Sequence, residues 1–221
     1  MNRHPPLVEK PFIYLITEGK AAPDDFFRAK SEILKFVKLA VDAKIFFVQI
    51  REKQLPARMV YELAAEAARI AQNSKTKILV NDRADIALAA LADGVHLTAR
   101  SLSAAVIRRS FPPDFIVGVS THTFEEAENA RRQAADFITF SPIFPTPEKE
   151  KYGAPPQGLE KLREICERLK PFPVFALGGI DQDNYKSVLQ AGASGFAAIR
   201  FLNDTEKLRE FTRLNAETRT K

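Results

Sequence analysis

A single cysteine, Cys166, stands among 221 residues. One thiol cannot close an intrachain disulfide, which excludes a disulfide-stapled secreted domain and points to a cytoplasmic setting. Cys166 sits at an apolar position of a helical stretch and reads as a small buried hydrophobe rather than a nucleophile. No apolar run approaches the roughly 18 residues that a membrane span requires. Met1–Lys10 is polar and contains proline, so no signal-peptide core is expected there. Linkers, low-complexity tracts and charge blocks are also missing, and one domain over residues 1–221 is expected. The basic residues form no stripe or arm, which argues against nucleic acid as a partner.

What is present is a mildly basic chain, 45% hydrophobic and 28% charged, with a net charge of +5. That composition supports one sizeable core and suits either an anionic substrate or a solvated surface. Eight short runs rich in apolar, β-branched and aromatic residues recur: Pro11–Thr17, Ile45–Ile50, Lys77–Asn81, Gly94–Thr98, Phe115–Ser120, Phe137–Ile143, Pro173–Gly179 and Gly195–Arg200. Buried parallel strands read this way. Amphipathic stretches fill the gaps: Asp25–Val41, Pro56–Ala71, Ala84–Leu91, Ser101–Arg109, Thr123–Gln133, Leu159–Leu169, Asp181–Gln190 and Thr205–Leu214. In the first of them, Phe26, Phe27, Ile33, Leu34 and Val37 form the apolar set. Thr123 with Glu126 makes a capping box, Asp181 opens its helix, and Gly192 follows its helix as a C-cap glycine. Strict alternation of eight strands and eight helices predicts an α/β fold, a (β/α)₈ TIM barrel. A doubly wound open sheet is the alternative.

Barrels of this kind place their chemistry at the C-terminal ends of the strands. The polar residues there are Gln49, Arg51 and Lys53 after strand 2, Asn81 and Asp82 after strand 3, and Ser120 and His122 after strand 5. Thr146 and Lys149 lie in the long loop after strand 6, Gly178-Gly179 after strand 7, and Arg200 after strand 8. Arg51, Lys53 and Lys149 are cations suited to a polyanion, Arg as a bidentate fork and Lys as a point charge. Asp82 among cations is a candidate ligand for Mg²⁺ bridging phosphate oxygens. The paired glycines let backbone approach a ligand, and the helix start after them offers N–H groups to an anion. Plainer readings stand beside these. Arg51 and Lys53 are surface charges with Glu52 as partner, Asp82 caps a helix, His122 belongs to a capping region, and the proline-rich loop Pro142–Pro147 is a rigid connector.

The stretches VQIREK (Val48–Lys53), VNDRADIALAALADGVHL (Val80–Leu97), GVSTHTFEEA (Gly118–Ala127), SPIFPTPEK (Ser141–Lys149), QGLE (Gln157–Glu160) and LGGI…AGASG (Leu177–Gly195) occur in order. With them the chain resembles the thiamine phosphate synthase / TenI superfamily over nearly its whole length. The resemblance implies a (β/α)₈ barrel in which a hydroxymethylpyrimidine diphosphate loses pyrophosphate and a thiazole phosphate nitrogen attacks the carbon left behind. By matching motif, Gln49, Arg51, Lys53 and Asn81 would grip the diphosphate, and Asp82 would ligate Mg²⁺. Ser120 would contact the pyrimidine or the pyrophosphate. Lys149 would hold the leaving pyrophosphate, and Thr146 and Gly179 the thiazole phosphate. Three positions depart from the pattern. Ser101 stands where a second metal-ligating Asp is usual, Glu148 sits in the phosphate loop, and Arg200 replaces a serine. Arg200 could bind the phosphate or pair with Glu148 when the site is empty.

The sister activity is thiazole tautomerisation, for which His122 matches the proposed proton shuttle; a thiamine-phosphate-binding paralogue without catalysis is a third reading. A sugar-phosphate epimerase, from outside the superfamily, is disfavoured because paired strand-end carboxylates are missing. The expected partners are phosphorylated small molecules. A homo-oligomer and closure of the strand 6 loop are left open.

Overall fold

The computed structural model describes residues 11–146 and 155–218, with side chains as far as Arg213. Eight strands run in parallel and close in sequence order into one barrel. They are β1 (Phe12–Ile16), β2 (Phe47–Ile50), β3 (Lys77–Asn81), β4 (Gly94–Leu97), β5 (Ile116–Thr121), β6 (Phe137–Phe140), β7 (Val174–Leu177) and β8 (Gly195–Ala198). Among the described residues the helices are α1 (Phe26–Asp42), α2 (Ala57–Ala71), α3 (Ala84–Ala89), α4 (Ala104–Ser110), α5 (Phe124–Arg132), α6 (Gly158–Leu169), α7 (Tyr185–Gln190) and α8 (Thr205–Thr218). A 3₁₀ turn at Pro23–Asp25 precedes α1. The expected (β/α)₈ barrel is therefore the fold, and the open sheet is not. No helix among the described residues is long and apolar enough to cross a membrane.

Strand alternation splits the core in two. Ile13, Leu15, Val48, Ile78, Val80, Val95, Val117 and Ile138 face outward and pack under the helices. Phe12, Tyr14, Ile16, Phe47, Leu79, Phe137 and Phe175 face inward and fill the barrel. The inner rings touch closely, with Phe47 and Phe137 stacked at 4.9 Å between centroids. Such pairs add about 0.5–1.5 kcal/mol beyond their buried area. The seam between β8 and β1 is tied by Asn203, whose Nδ2 donates to Ile16 O and Ile199 O.

Aspartates in front of strands repeat one device. Asp93 accepts the N–H of Ile78, and Asp136 accepts that of Val117, both through Oδ2. Asp136 is also paired with the largely buried Arg108. The Arg108 guanidinium donates further to Ala134 O at 2.7 Å and Phe115 O at 2.6 Å.

Two helix expectations change. Phe26 is buried, but Phe27 is 80% exposed, because neighbours in a helix are turned by about 100° and cannot share one face. Thr123 Oγ1 accepts the N–H of Glu126 as a capping box requires, yet the Glu126 carboxylate returns to His122 N rather than to Thr123 N. Cys166 is buried, and Gly192 (φ +101°) sits against it at the end of α7.

Candidate active site

Inward-facing positions at the C-terminal ends of β2 to β5 turn polar, and there the chain changes from packing to chemistry. Gln49 is buried and donates through Nε2 to Asn81 Oδ1 at 3.1 Å. The two are thereby fixed side by side. Arg51, just beyond β2, donates its backbone N–H to Thr17 Oγ1. Its guanidinium runs beside Gly19, where a Cβ would lie 3.0 Å from Nη1. Lys53 is exposed in the same loop. Glu52 between them is not their partner. It is buried and accepts the N–H groups of Gly19 and Ala21, tying the loop after β1 to the loop after β2. This corrects the reading of Glu52 as a surface counter-charge.

Asp82 follows β3 with φ +66° and is exposed. It makes no cap for α3, whose N-cap is Arg83 without a side-chain bond. Instead its Oδ1 accepts a hydrogen bond from Ser101 Oγ. The residue that stands where a second carboxylate was expected therefore donates to the first. Among the described residues no group of three or more His, Cys, Asp or Glu side chains is placed to hold a metal ion. Asp82 stands there as a single carboxylate. It fits a Mg²⁺ whose remaining ligands are substrate phosphates and water, the usual arrangement for that ion.

Ser120 lies at the end of β5 with its Oγ 2.9 Å from His96 Nε2. His96 comes from β4, faces the barrel interior, and reaches Tyr14 Oη through Nδ1 at 3.0 Å. Burial, helped by the charge of Arg51, lowers the His96 pKa to about 3, so the ring is neutral. Burial likewise holds the Tyr14 hydroxyl protonated, well above its ordinary pKa. The imidazole fits because residue 118 is glycine: a Cβ there would meet His96 Nδ1 at 2.8 Å. Neither Tyr14 nor His96 was singled out in the sequence. The available signal was parity, since His96 faces inward between the outward-facing Val95 and Leu97.

His122 directly follows β5. Its Nδ1 is 2.8 Å from Ser141 O. A carbonyl only accepts, so Nδ1–H donates to it and Nε2 is the nitrogen left for a ligand. Thr146 is buried, at the edge of the described residues. Lys149 and Glu148 lie outside the described residues, and with them the proposed Glu148–Arg200 pair. Arg200 itself is exposed just past β8.

Gly178 (φ +101°) and Gly179 (φ +67°) have a use other than room for a ligand. A Cβ on Gly178 would meet Pro142 at 2.8 Å, and one on Gly179 would meet Phe144 at 2.7 Å. The freedom of both glycines lets the loop after β6 lie against β7, where Ile143 N donates to Leu177 O and Phe144 N to Gly178 O. The helix start that follows is capped from within. Asp181 Oδ1 accepts from Asp183 N and Asn184 N, and Asn184 Oδ1 accepts from Asp181 N. These N–H groups therefore serve the chain's own side chains rather than an anion, which corrects that expectation. A separate hollow of about 430 Å³ opens at the opposite, N-terminal end of β7 and β8, beside Cys166, Lys170 and Ser194. It is remote from the polar strand ends and gathers no comparable set of groups.

Comparisons with known proteins identify the family and agree with the fold. The model of the family described as thiamine monophosphate synthase matches residues 13–202. A Roseiflexus sp. (strain RS-1) protein named thiamine-phosphate synthase is 37% identical over 187 residues, 85% of this chain and 76% of its own length. One of the same name from Caldanaerobacter subterraneus subsp. tengcongensis is 36% identical over 185 residues, 83% of this chain and 85% of its own. The solved thiamine phosphate pyrophosphorylase from Pyrococcus furiosus superposes with a TM-score of 0.75 at 31% identity, covering 92% of this chain and 96% of that one.

Proposed function

The chain belongs to the thiamine monophosphate synthase family, and from that premise we propose that it joins a hydroxymethylpyrimidine diphosphate to a thiazole phosphate with release of pyrophosphate. The observation that carries the proposal is the grouping of Gln49–Asn81, Arg51, Asp82–Ser101 and His96–Ser120 at the ends of four adjacent strands. In the reaction the carbon–oxygen bond to the diphosphate breaks and the electron pair leaves with pyrophosphate. The thiazole nitrogen then forms the new carbon–nitrogen bond.

In this reading Arg51 and Lys53 hold the diphosphate, and Lys149 joins them on the leaving group. Charge grows on the departing oxygens, so fixed cations and donors aimed there lower the barrier. Loss of one such group costs about a hundredfold in rate. Gln49 and Asn81, already bonded to one another, present preset amide dipoles to the substrate. Ser120 donates to it, and Thr146 and the Gly179 backbone face the thiazole phosphate. Arg200 adds positive charge on that side. His122 Nε2 can take up or return a proton at the mouth. A Mg²⁺ ion would be held by Asp82 and the diphosphate, and its chemistry is to neutralise charge on phosphate oxygens.

We take phosphorylated small molecules as the partners and the cytoplasm as the setting, as the single buried thiol suggests. The test is to incubate the purified protein with both substrates and Mg²⁺ and to detect thiamine phosphate. Its formation, and its loss in Arg51→Ala, is expected; no product at saturating substrate sinks the proposal.

A further inference from the structure

A line of polar side chains crosses the otherwise aromatic barrel interior. Tyr14 Oη is 3.0 Å from His96 Nδ1, and His96 Nε2 is 2.9 Å from Ser120 Oγ. A neutral imidazole donates from one nitrogen and accepts at the other. Tyr14 decides which. Its ring meets those of Phe47, Phe137 and Phe175, and it is completely buried. Among the described residues its hydroxyl has one hydrogen-bond partner, His96 Nδ1. An unpaired hydroxyl hydrogen in such surroundings is costly, so Tyr14 donates to Nδ1. The remaining imidazole proton is then on Nε2, and Nε2–H donates to Ser120 Oγ.

The hydrogen of Ser120 consequently points elsewhere. Its inner neighbour His96 gives it a proton rather than taking one, and Thr139 Oγ1, at 3.5 Å, also directs its hydrogen toward Oγ. The free direction is the mouth of the barrel. We infer that Tyr14 and His96 are positioning residues that lock Ser120 as an outward hydrogen-bond donor for an oxyanion of the diphosphate. Ser120 is thereby not activated as a nucleophile, because among the described residues no group behind it accepts its proton. The identity of the anion rests on the proposed function; the direction of the hydrogen bonds does not.

The first test is long-range ¹H–¹⁵N NMR on the ¹⁵N-labelled full chain without ligand, with His96 identified by its loss in His96→Gln. A single Nε2–H tautomer is expected, and Tyr14→Phe should release it into a mixture. An Nδ1–H tautomer in the unsubstituted protein, or an unchanged ring in Tyr14→Phe, overturns the inference. The second test is calorimetric binding of inorganic pyrophosphate with Mg²⁺ present. Ser120→Ala and His96→Leu should each weaken it about tenfold or more, the worth of a hydrogen bond to a charged group. His96→Gln, whose amide can still donate to Oγ, should keep most of the affinity. Equal losses in Gln and Leu variants, or no binding by the unsubstituted protein, contradict the assignment. Absence of thiamine phosphate synthesis with the NMR result intact would overturn the proposed reaction and leave the relay standing.

Discussion

An alanine at position 118 would put its Cβ 2.3 Å from Phe137 Cζ and 2.8 Å from His96 Nδ1. Neither neighbour can retreat easily. Phe137 stacks on Phe47 and packs against Tyr14 and Phe175 at 5.8 and 5.1 Å between centroids. His96 is held at both ring nitrogens. Overpacking costs about 1–3 kcal/mol, and loss of one buried hydrogen bond about 1 more. Alanine returns about 0.4–1 kcal/mol by restricting the unfolded chain. The net loss for Gly118→Ala is about 1–3.6 kcal/mol, which lowers Tm by about 2–14 °C for a domain of this size. Scanning calorimetry measures it directly. Combined with Phe137→Leu, which makes room for the methyl group, the double variant should be more stable than the two single effects predict by about 1 kcal/mol. An unchanged Tm in Gly118→Ala, or strict additivity in the cycle, would refute the packing argument.

Three further outcomes are expected. Arg108→Met removes the ion pair to Asp136 and two hydrogen bonds to backbone carbonyls at the base of β5 and β6, and should cost about 3 kcal/mol in urea unfolding; a loss under about 1 kcal/mol would show the pair to be expendable. His96 titrates near 6.5 when unfolded and at about 3 when folded, so only the unfolded chain takes up its proton between those values. Stability should therefore fall as pH drops below about 6.5, by about 2 kcal/mol between pH 7 and 5, and that part of the slope should vanish in His96→Leu. EDTA should stop turnover and Mg²⁺ restore it, with Asp82→Asn demanding more Mg²⁺ for half-maximal rate; an unaltered metal requirement in Asp82→Asn would remove Asp82 from the metal site.

The fold was legible because each unit repeats two periods, two along the strands and 3.6 along the helices, in strict alternation. Residues at the strand ends were legible for the same reason: the barrel dictates where chemistry can sit, so Gln49, Asn81 and Ser120 could be placed by register. What escaped notice depends on direction. Glu52 lies in an Arg-Glu-Lys run that looks like surface charge, yet strand parity turns it away from its neighbours to cap two backbone amides. Tyr14 and His96 are embedded in apolar runs and show their role only when β1, β4 and β5 are brought together. Gly178 and Gly179 were read only as places where backbone meets a ligand, and the room they leave for the loop after β6 is visible only in three dimensions. The Asp82–Ser101 contact joins residues 19 apart in sequence, and no periodicity announces it.

Phosphorus NMR of a single reaction mixture tests the central claim most directly. The purified chain, pyrimidine diphosphate, thiazole phosphate and Mg²⁺ should yield pyrophosphate and thiamine phosphate in equal amounts, at a rate that collapses in Arg51→Ala. A thiazole phosphate isomerised without pyrophosphate release, or a spectrum that never changes, would contradict it.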